Sequence, residues 1–122
     1  MEVLKVNNLK KYYGNNTDIT KALNNISFTV SNNEFLAIMG ASGSGKTTLL
    51  NTISTIDSVT SGNIIINGVD ITNLNEEELS NFRKKNLGFV FQDFNLLDTL
   101  TIKENLTLFF QLINLFLYYY HI

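Results

Sequence analysis

The sequence predicts a mixed α/β chain: an antiparallel β region first, then the start of a strand, loop and helix core. Three observations carry that expectation. Short runs of alternating apolar residues come first, a continuously apolar run then enters a glycine-rich loop, and helix-spaced apolar residues follow the loop. The composition agrees. With 122 residues, 44% hydrophobic and 16% charged, the chain suits one modest domain or a piece of a larger one, and wholesale disorder is not expected.

The elements follow in order. Val3 to Val6 is a short alternating strand, and Ile26-Ser27-Phe28-Thr29-Val30 alternates as a half-buried strand should. The pairs Asn7-Asn8, Asn15-Asn16, Asn24-Asn25 and Asn32-Asn33 read as turns between such segments. Phe35-Leu36-Ala37-Ile38-Met39 is continuously apolar, the pattern of a strand buried on both faces, and it runs straight into Gly40. Thr47 to Ser54 reads as a helix with Leu49, Leu50 and Ile53 on one face.

Gly62 follows a turn, Ile64-Ile65-Ile66 is a strand, and Asn67-Gly68 is a hairpin or turn signal. Asn75 caps a further helix, with Glu78 completing a capping box. Glu76 and Glu77 in its first turn and Arg83, Lys84 and Lys85 in its last match the helix dipole. Leu87 to Phe91 is another strand, ending at Gln92, and Thr101 with Glu104 opens a last helix.

Several function classes are disfavoured. The net charge is -2 and the longest basic run is Arg83-Lys84-Lys85, so nucleic acid is not expected as the main partner. There is no cysteine, and a lone His121 cannot build a metal centre. The start, Met1 to Lys5, alternates and contains an acid, unlike a signal peptide, so a cytoplasmic location is expected. The tail from Leu106 to Ile122 is rich in Leu, Phe and Tyr but is interrupted by Gln111 and Asn114. Its apolar part falls short of the roughly 20 residues of a spanning helix and reads as a buried or partner-seeking helix.

Gly40-Ala41-Ser42-Gly43-Ser44-Gly45-Lys46-Thr47 fits the P-loop pattern G-x-x-x-x-G-K-[ST] without a mismatch, between an apolar run and a helix. Gly40, Gly43 and Gly45 let the backbone turn tightly and aim N–H groups at phosphates. The following helix adds the positive end of its dipole. Lys46 supplies a full charge, worth about 4 kcal/mol at contact distance near a protein surface, before desolvation. Thr47 offers a hydroxyl to Mg²⁺, a cation that takes oxygen ligands, and Thr48 can add a phosphate contact.

These residues resemble a known family. Ala41 to Asn51 looks like the Walker A segment of ABC-transporter ATPases. Thr60 to Ile64 and Asn67 to Ile71 resemble the stretch that follows it there, and Leu87 to Leu97 looks like the Q-loop region. The resemblance implies an α/β P-loop NTPase fold, incomplete here: an N-terminal antiparallel β subdomain plus the start of the RecA-like core. Residues 1–108 correspond to the N-terminal part of the nucleotide-binding domain, and residues 109–122 form a divergent tail.

By position, the resemblance gives ATP to Tyr13, Gly40, Ser42, Gly43, Ser44, Gly45, Lys46, Thr47, Thr48 and Gln92. Thr47 and Gln92 attend Mg²⁺. Tyr13, just before Gly14, matches the aromatic that stacks on adenine, with Tyr12 beside it as the other choice. The implied partners are a transmembrane permease subunit and, in the intact parent, a second copy in a head-to-tail homodimer, at the inner face of the plasma membrane. Asn95 to Asn105 is similar to the branch paired with FtsX-like permeases, which serves lipoprotein release and antimicrobial-peptide export.

The sequence also departs from the family. It has no Leu-Ser-Gly-Gly-Gln signature, no apolar run ending in Asp-Glu and no switch histidine. The chain alone is therefore expected to bind ATP without hydrolysing it, as the front fragment of a transporter subunit. Leu36 to Met39 and Phe89 to Phe91 are expected to lack sheet partners and to favour aggregation. Two other readings stay open: another P-loop class such as a small GTPase or nucleotide kinase, and a non-catalytic relic.

Overall fold

The computed structural model describes residues 1–15, 17–89 and 97–107. The chain divides into two compact units, Met1–Leu79 and Ser80–Ile122. The first holds a four-stranded sheet made of β1 (Glu2–Asn15), β2 (Asp18–Ser31), β3 (Ser61–Ile66) and β4 (Val69–Asp70). The spatial order is β2-β1-β3-β4, and every pairing is antiparallel.

β1 and β2 are each 14 residues long, well beyond the alternating runs visible in the sequence. The asparagine pairs explain the difference. Asn7-Asn8 and Asn24-Asn25 are not turns; they lie inside the two strands, with Asn8 (φ 47°) and Asn25 (φ 60°) in left-handed conformation. The β1–β2 register shifts between Val6 and Leu9 and again between Leu9 and Lys11. Each left-handed residue inserts one extra position, so Val6 and Leu9, three apart, both face inward. The period-two signal is broken while the ladder continues. Asn32-Asn33 does form a turn, as expected. Asn16 lies outside the described residues.

Asn67-Gly68 closes the β3–β4 hairpin as a two-residue loop, with Ile66 opposite Val69. Both loop residues have positive φ (49° and 80°), the geometry that matches strand twist and that Asn-Gly tolerates. Val6, Leu9, Leu23, Ile64, Ile66 and Ile71 are buried in this unit. Each such side chain contributes roughly 1.5–3 kcal/mol when removed from water.

α1 spans Lys46–Ile53 and turns Leu49 and Thr52 inward. Leu50, expected on the buried face, is 48% exposed. The start of α1 fixes this rotation. A Cβ on Gly45 would meet the Ala22 carbonyl oxygen of β2 at 2.5 Å, so only glycine lets the helix start this close to the sheet. Thr52 is tolerated inside because its hydroxyl donates to the Leu49 carbonyl at 2.9 Å.

The strand expected over Phe35–Met39 does not form. Residues 34–41 are in no strand or helix, Phe35 is 94% exposed and Met39 is 89% exposed. An apolar run becomes a buried strand only when neighbours pair its backbone and cover its faces. No described strand pairs with it: the sheet ends at β2 on one side and β4 on the other. Leu87, Gly88 and Phe89 are likewise in no strand, and the rest of that expected element, Val90 and Phe91, lies outside the described residues.

α2 spans Glu76–Asn86. Its capping box is reciprocal: Asn75 N–H donates to Glu78 Oε2 at 2.9 Å, and Glu78 N–H donates to Asn75 Oδ1 at 3.0 Å. In the second unit, residues 102–107 are helical and open with the expected box, in which Thr101 N–H donates to Glu104 Oε2 at 2.7 Å. Among the described residues no helix is long and apolar enough to cross a membrane.

Candidate nucleotide-binding site

The glycine-rich loop ends where α1 begins. Gly45 is the N-cap residue in left-handed conformation (φ 94°), no side chain caps it, and the first turn of α1 has no acidic residue. The helix N–H groups and the positive end of its dipole are therefore not neutralised from within the helix. Gly43 also has positive φ (77°). Gly40 is less constrained: its φ is not positive, and a Cβ there would meet Ser44 Oγ at 2.6 Å, a contact that rotation of the serine side chain relieves.

Lys46 Nζ folds back over the loop. It donates to the carbonyls of Gly40 at 2.8 Å and Ala41 at 2.7 Å, and to Ser44 Oγ at 3.3 Å. An ammonium held only by neutral dipoles still has its whole charge to offer an anion. Ser42, Ser44 and Thr47 are exposed, and Thr48 is half-buried. The loop thus brings Gly40, Ser42, Gly43, Ser44, Gly45, Lys46, Thr47 and Thr48 together at one helix terminus. Gln92 lies outside the described residues.

Tyr13, near the end of β1, is 42% exposed. Its hydroxyl donates to Asp57 Oδ2 at 2.6 Å. Asp57 Oδ1 accepts from Lys11 Nζ at 2.7 Å, and the same ammonium donates to the Ser58 carbonyl at 2.6 Å and stands 4.9 Å from the Tyr13 ring centroid. The hydrogen bond to Asp57, then burial, raise the Tyr13 hydroxyl above its ordinary 10.0, with the Thr48 hydroxyl acting in the lowering direction. The hydrogen bonds from Lys11 and then Tyr13 hold the Asp57 carboxyl below its ordinary 3.8. Tyr12 points elsewhere: its hydroxyl donates to Asn24 Oδ1 at 2.9 Å, with Lys21 Nζ 5.5 Å from its ring.

Lys11 and Asp57 escaped the sequence reading. They lie 46 residues apart, and the turn that joins them follows a helix end with no motif of its own. The one available signal was the broken alternation of β1, which puts a lysine at a buried position.

For Mg²⁺, the residues present fit a site completed by the nucleotide. Thr47 is an exposed hydroxyl in the first turn of α1, a hard oxygen donor of the kind Mg²⁺ takes. Among the described residues no group of three or more His, Cys, Asp or Glu could hold a metal. The remaining donors would be phosphate oxygens and water, the usual mode for this cation.

A glycine-rich loop joined to a helix N-terminus, with its lysine folded across it, defines a P-loop nucleotide-binding fold. Residues 23–120 match the sequence model of the ABC transporter family, and the chain belongs to that family. Among curated relatives, it is 53% identical over 108 residues to the bacitracin export ATP-binding protein BceA of Halalkalibacterium halodurans, covering 88% of this chain and 43% of the relative. It is 40% identical over 108 residues to the macrolide export ATP-binding/permease protein MacB of Mannheimia succiniciproducens, covering 88% of this chain and 17% of that protein.

Among solved structures, the dimeric MJ0796 cassette matches with a TM-score of 0.79 at 41% identity, over 86% of this chain and 45% of that one. The same cassette in a post-hydrolysis dimer with ADP and Pi also gives 0.79, over 88% of this chain and 47% of that one. The chain spans less than half the length of each of these relatives.

Proposed function

We propose that this chain is the ATP-binding front part of an ABC-transporter ATPase subunit, residues 1–108, with residues 109–122 as a divergent tail. In the intact parent, a head-to-tail homodimer would couple ATP to a transmembrane permease of the FtsX-like kind at the inner face of the plasma membrane. The observation that carries the nucleotide-binding reading is the loop itself: Lys46 rests on the Gly40 and Ala41 carbonyls at the uncapped start of α1. The export systems named among the relatives favour an export role for the parent.

The chemistry follows from the groups. Phosphate oxygens take the loop N–H groups and the end of the α1 dipole, and Lys46 exchanges its carbonyl contacts for stronger charged ones. Mg²⁺, when bound with the nucleotide, neutralises phosphate charge, and Thr47 gives it one protein oxygen, with Gln92 as the expected second. Tyr13 offers a ring face to adenine.

Hydrolysis is not proposed for this chain alone. Phosphoryl transfer also needs a metal-holding acid and a residue that positions the water. The motifs that supply these in the family are not among the 122 residues. Two measurements test the reading. Mg-ATP should raise the melting temperature of the chain and leave that of Lys46→Ala unchanged, and inorganic phosphate release should stay at background in both. No shift with the unaltered chain contradicts ATP binding and favours the relic; steady Lys46-dependent release contradicts the non-hydrolytic part.

A further inference from the structure

We propose that Asp57, anchored by Lys11, is a positioning residue that fixes the Tyr13 ring as the platform for the nucleotide base. The inference rests on the reading of Tyr13 as the base-stacking aromatic and adds what holds that ring.

Tyr13 is 42% exposed and lies one residue before Gly14, near the β1–β2 hairpin, where few neighbours confine a side chain. A flat ring selects a base only when its plane is set in advance, because ordering it at the moment of binding weakens the contact. Two tethers set it here. The hydroxyl is tied to Asp57 Oδ2 at 2.6 Å, and the Lys11 ammonium stands over the ring at 4.9 Å from its centroid. The cation takes one face, which leaves the opposite face for a base.

Asp57 is itself held. Lys11 is buried to 7% exposure, and a buried ammonium needs a counter-charge. Asp57 Oδ1 provides it at 2.7 Å, while Oδ2 is left for the tyrosine. The chain reaches this position by reversing after α1. Thr55 takes a left-handed conformation (φ 62°), and the N–H groups of Ile56 and Asp57 both donate to the Asn51 carbonyl, at 2.9 and 3.1 Å. One short helix therefore carries the phosphate lysine at its first residue and, just past its last turn, the carboxylate that grips the base platform. Phosphate grip and base platform are joined through α1.

The test compares the affinities of the 122-residue chain for Mg-ATP and for Mg-tripolyphosphate, which has the phosphates and no base. The proteins are the unaltered chain, Asp57→Asn, Tyr13→Phe and the double variant. Asp57→Asn should weaken ATP about three- to tenfold, the worth of one aromatic contact, and leave tripolyphosphate within about twofold. Tyr13→Phe keeps the ring and loses the tether, so it should match that loss, and the double variant should lose no more than either single one.

Equal losses for both ligands would show that Asp57 only supports the fold and would overturn the proposal, as would an unchanged ATP affinity. Should Asp57→Asn fail to fold, Tyr13→Phe decides alone, because it keeps the Lys11–Asp57 pair: an unaltered ratio of the two affinities overturns the proposal. Two results with the unaltered chain are separate. Equal affinity for both ligands removes the base contact while leaving the phosphate site, and binding of neither removes the nucleotide reading and this inference with it.

Discussion

The Ile64–Ile66 run of β3 and the segment Phe35–Met39 are both continuously apolar in sequence, yet one is folded inward and the other faces solvent. Ile64 and Ile66 of β3 are buried, because β1 and β4 pair with its two edges. Phe35 and Met39 are almost fully exposed, and no described strand pairs with them. The difference lies in partners, not in propensity. Apolar sequence supplies the drive to leave water, but a strand also has to satisfy its backbone N–H and C=O groups. The P-loop is placed between these two regimes. It is fed by the unpaired segment and held by α1, which leans on β2 through Gly45.

That contrast can be broken by substitution. The largest effect is expected at Leu9, which is completely buried in β1. Leu9→Ala should cost about 2–5 kcal/mol in chemical denaturation, from lost transfer energy plus the cavity. A loss below the ordinary surface range would mean the sheet is not the stable part of the chain.

Acid gives the next effect. The Asp57 carboxyl is held below its ordinary 3.8 by Lys11 and Tyr13. A depressed folded value means the stabilisation is fully present above the ordinary value and is lost as pH falls through the folded one. Melting temperature should therefore drop below about pH 4, and Asp57→Asn should flatten that drop. The same acid drop in both proteins would remove Asp57 from the cause.

A smaller effect is expected at Thr55, a β-branched residue at φ 62°. Relief of left-handed strain favours Thr55→Gly, and the entropy of glycine and loss of the threonine's own interaction oppose it, for a net change below about 1 kcal/mol. A clear loss on thermal unfolding would mean the threonine side chain is needed there. The smallest effect on stability is expected from Phe35→Ser combined with Met39→Ser, within about ±0.5 kcal/mol, because neither side chain is covered. The same pair should increase the soluble, monodisperse fraction in size-exclusion runs. A large loss of stability would show that the segment is packed in solution.

Legibility followed the same divide. The P-loop, the Asn67-Gly68 hairpin and both capping boxes were readable because their rules are local: a fixed spacing of glycines, two positive φ values, a reciprocal pair three residues apart. β1 and β2 were only half readable, since Asn8 and Asn25 shift the register and hide the alternation. The strand expected at Phe35–Met39 failed because its pattern says nothing of whether neighbours exist. Leu50 was misplaced because a short helix is rotated by what Gly45 touches. The Lys11–Asp57–Tyr13 cluster depends on a chain reversal that brings residues 46 apart into contact, and no local rule reports that.

The central claim is that the loop from Gly40 to Thr48 binds nucleotide through Lys46. Titration calorimetry of the chain with Mg-ATP, in parallel with Lys46→Ala, tests it most directly. The account expects saturable one-to-one binding that disappears in the variant while its melting temperature is kept. Binding that persists unchanged in Lys46→Ala, or no binding by the unaltered chain, would contradict it.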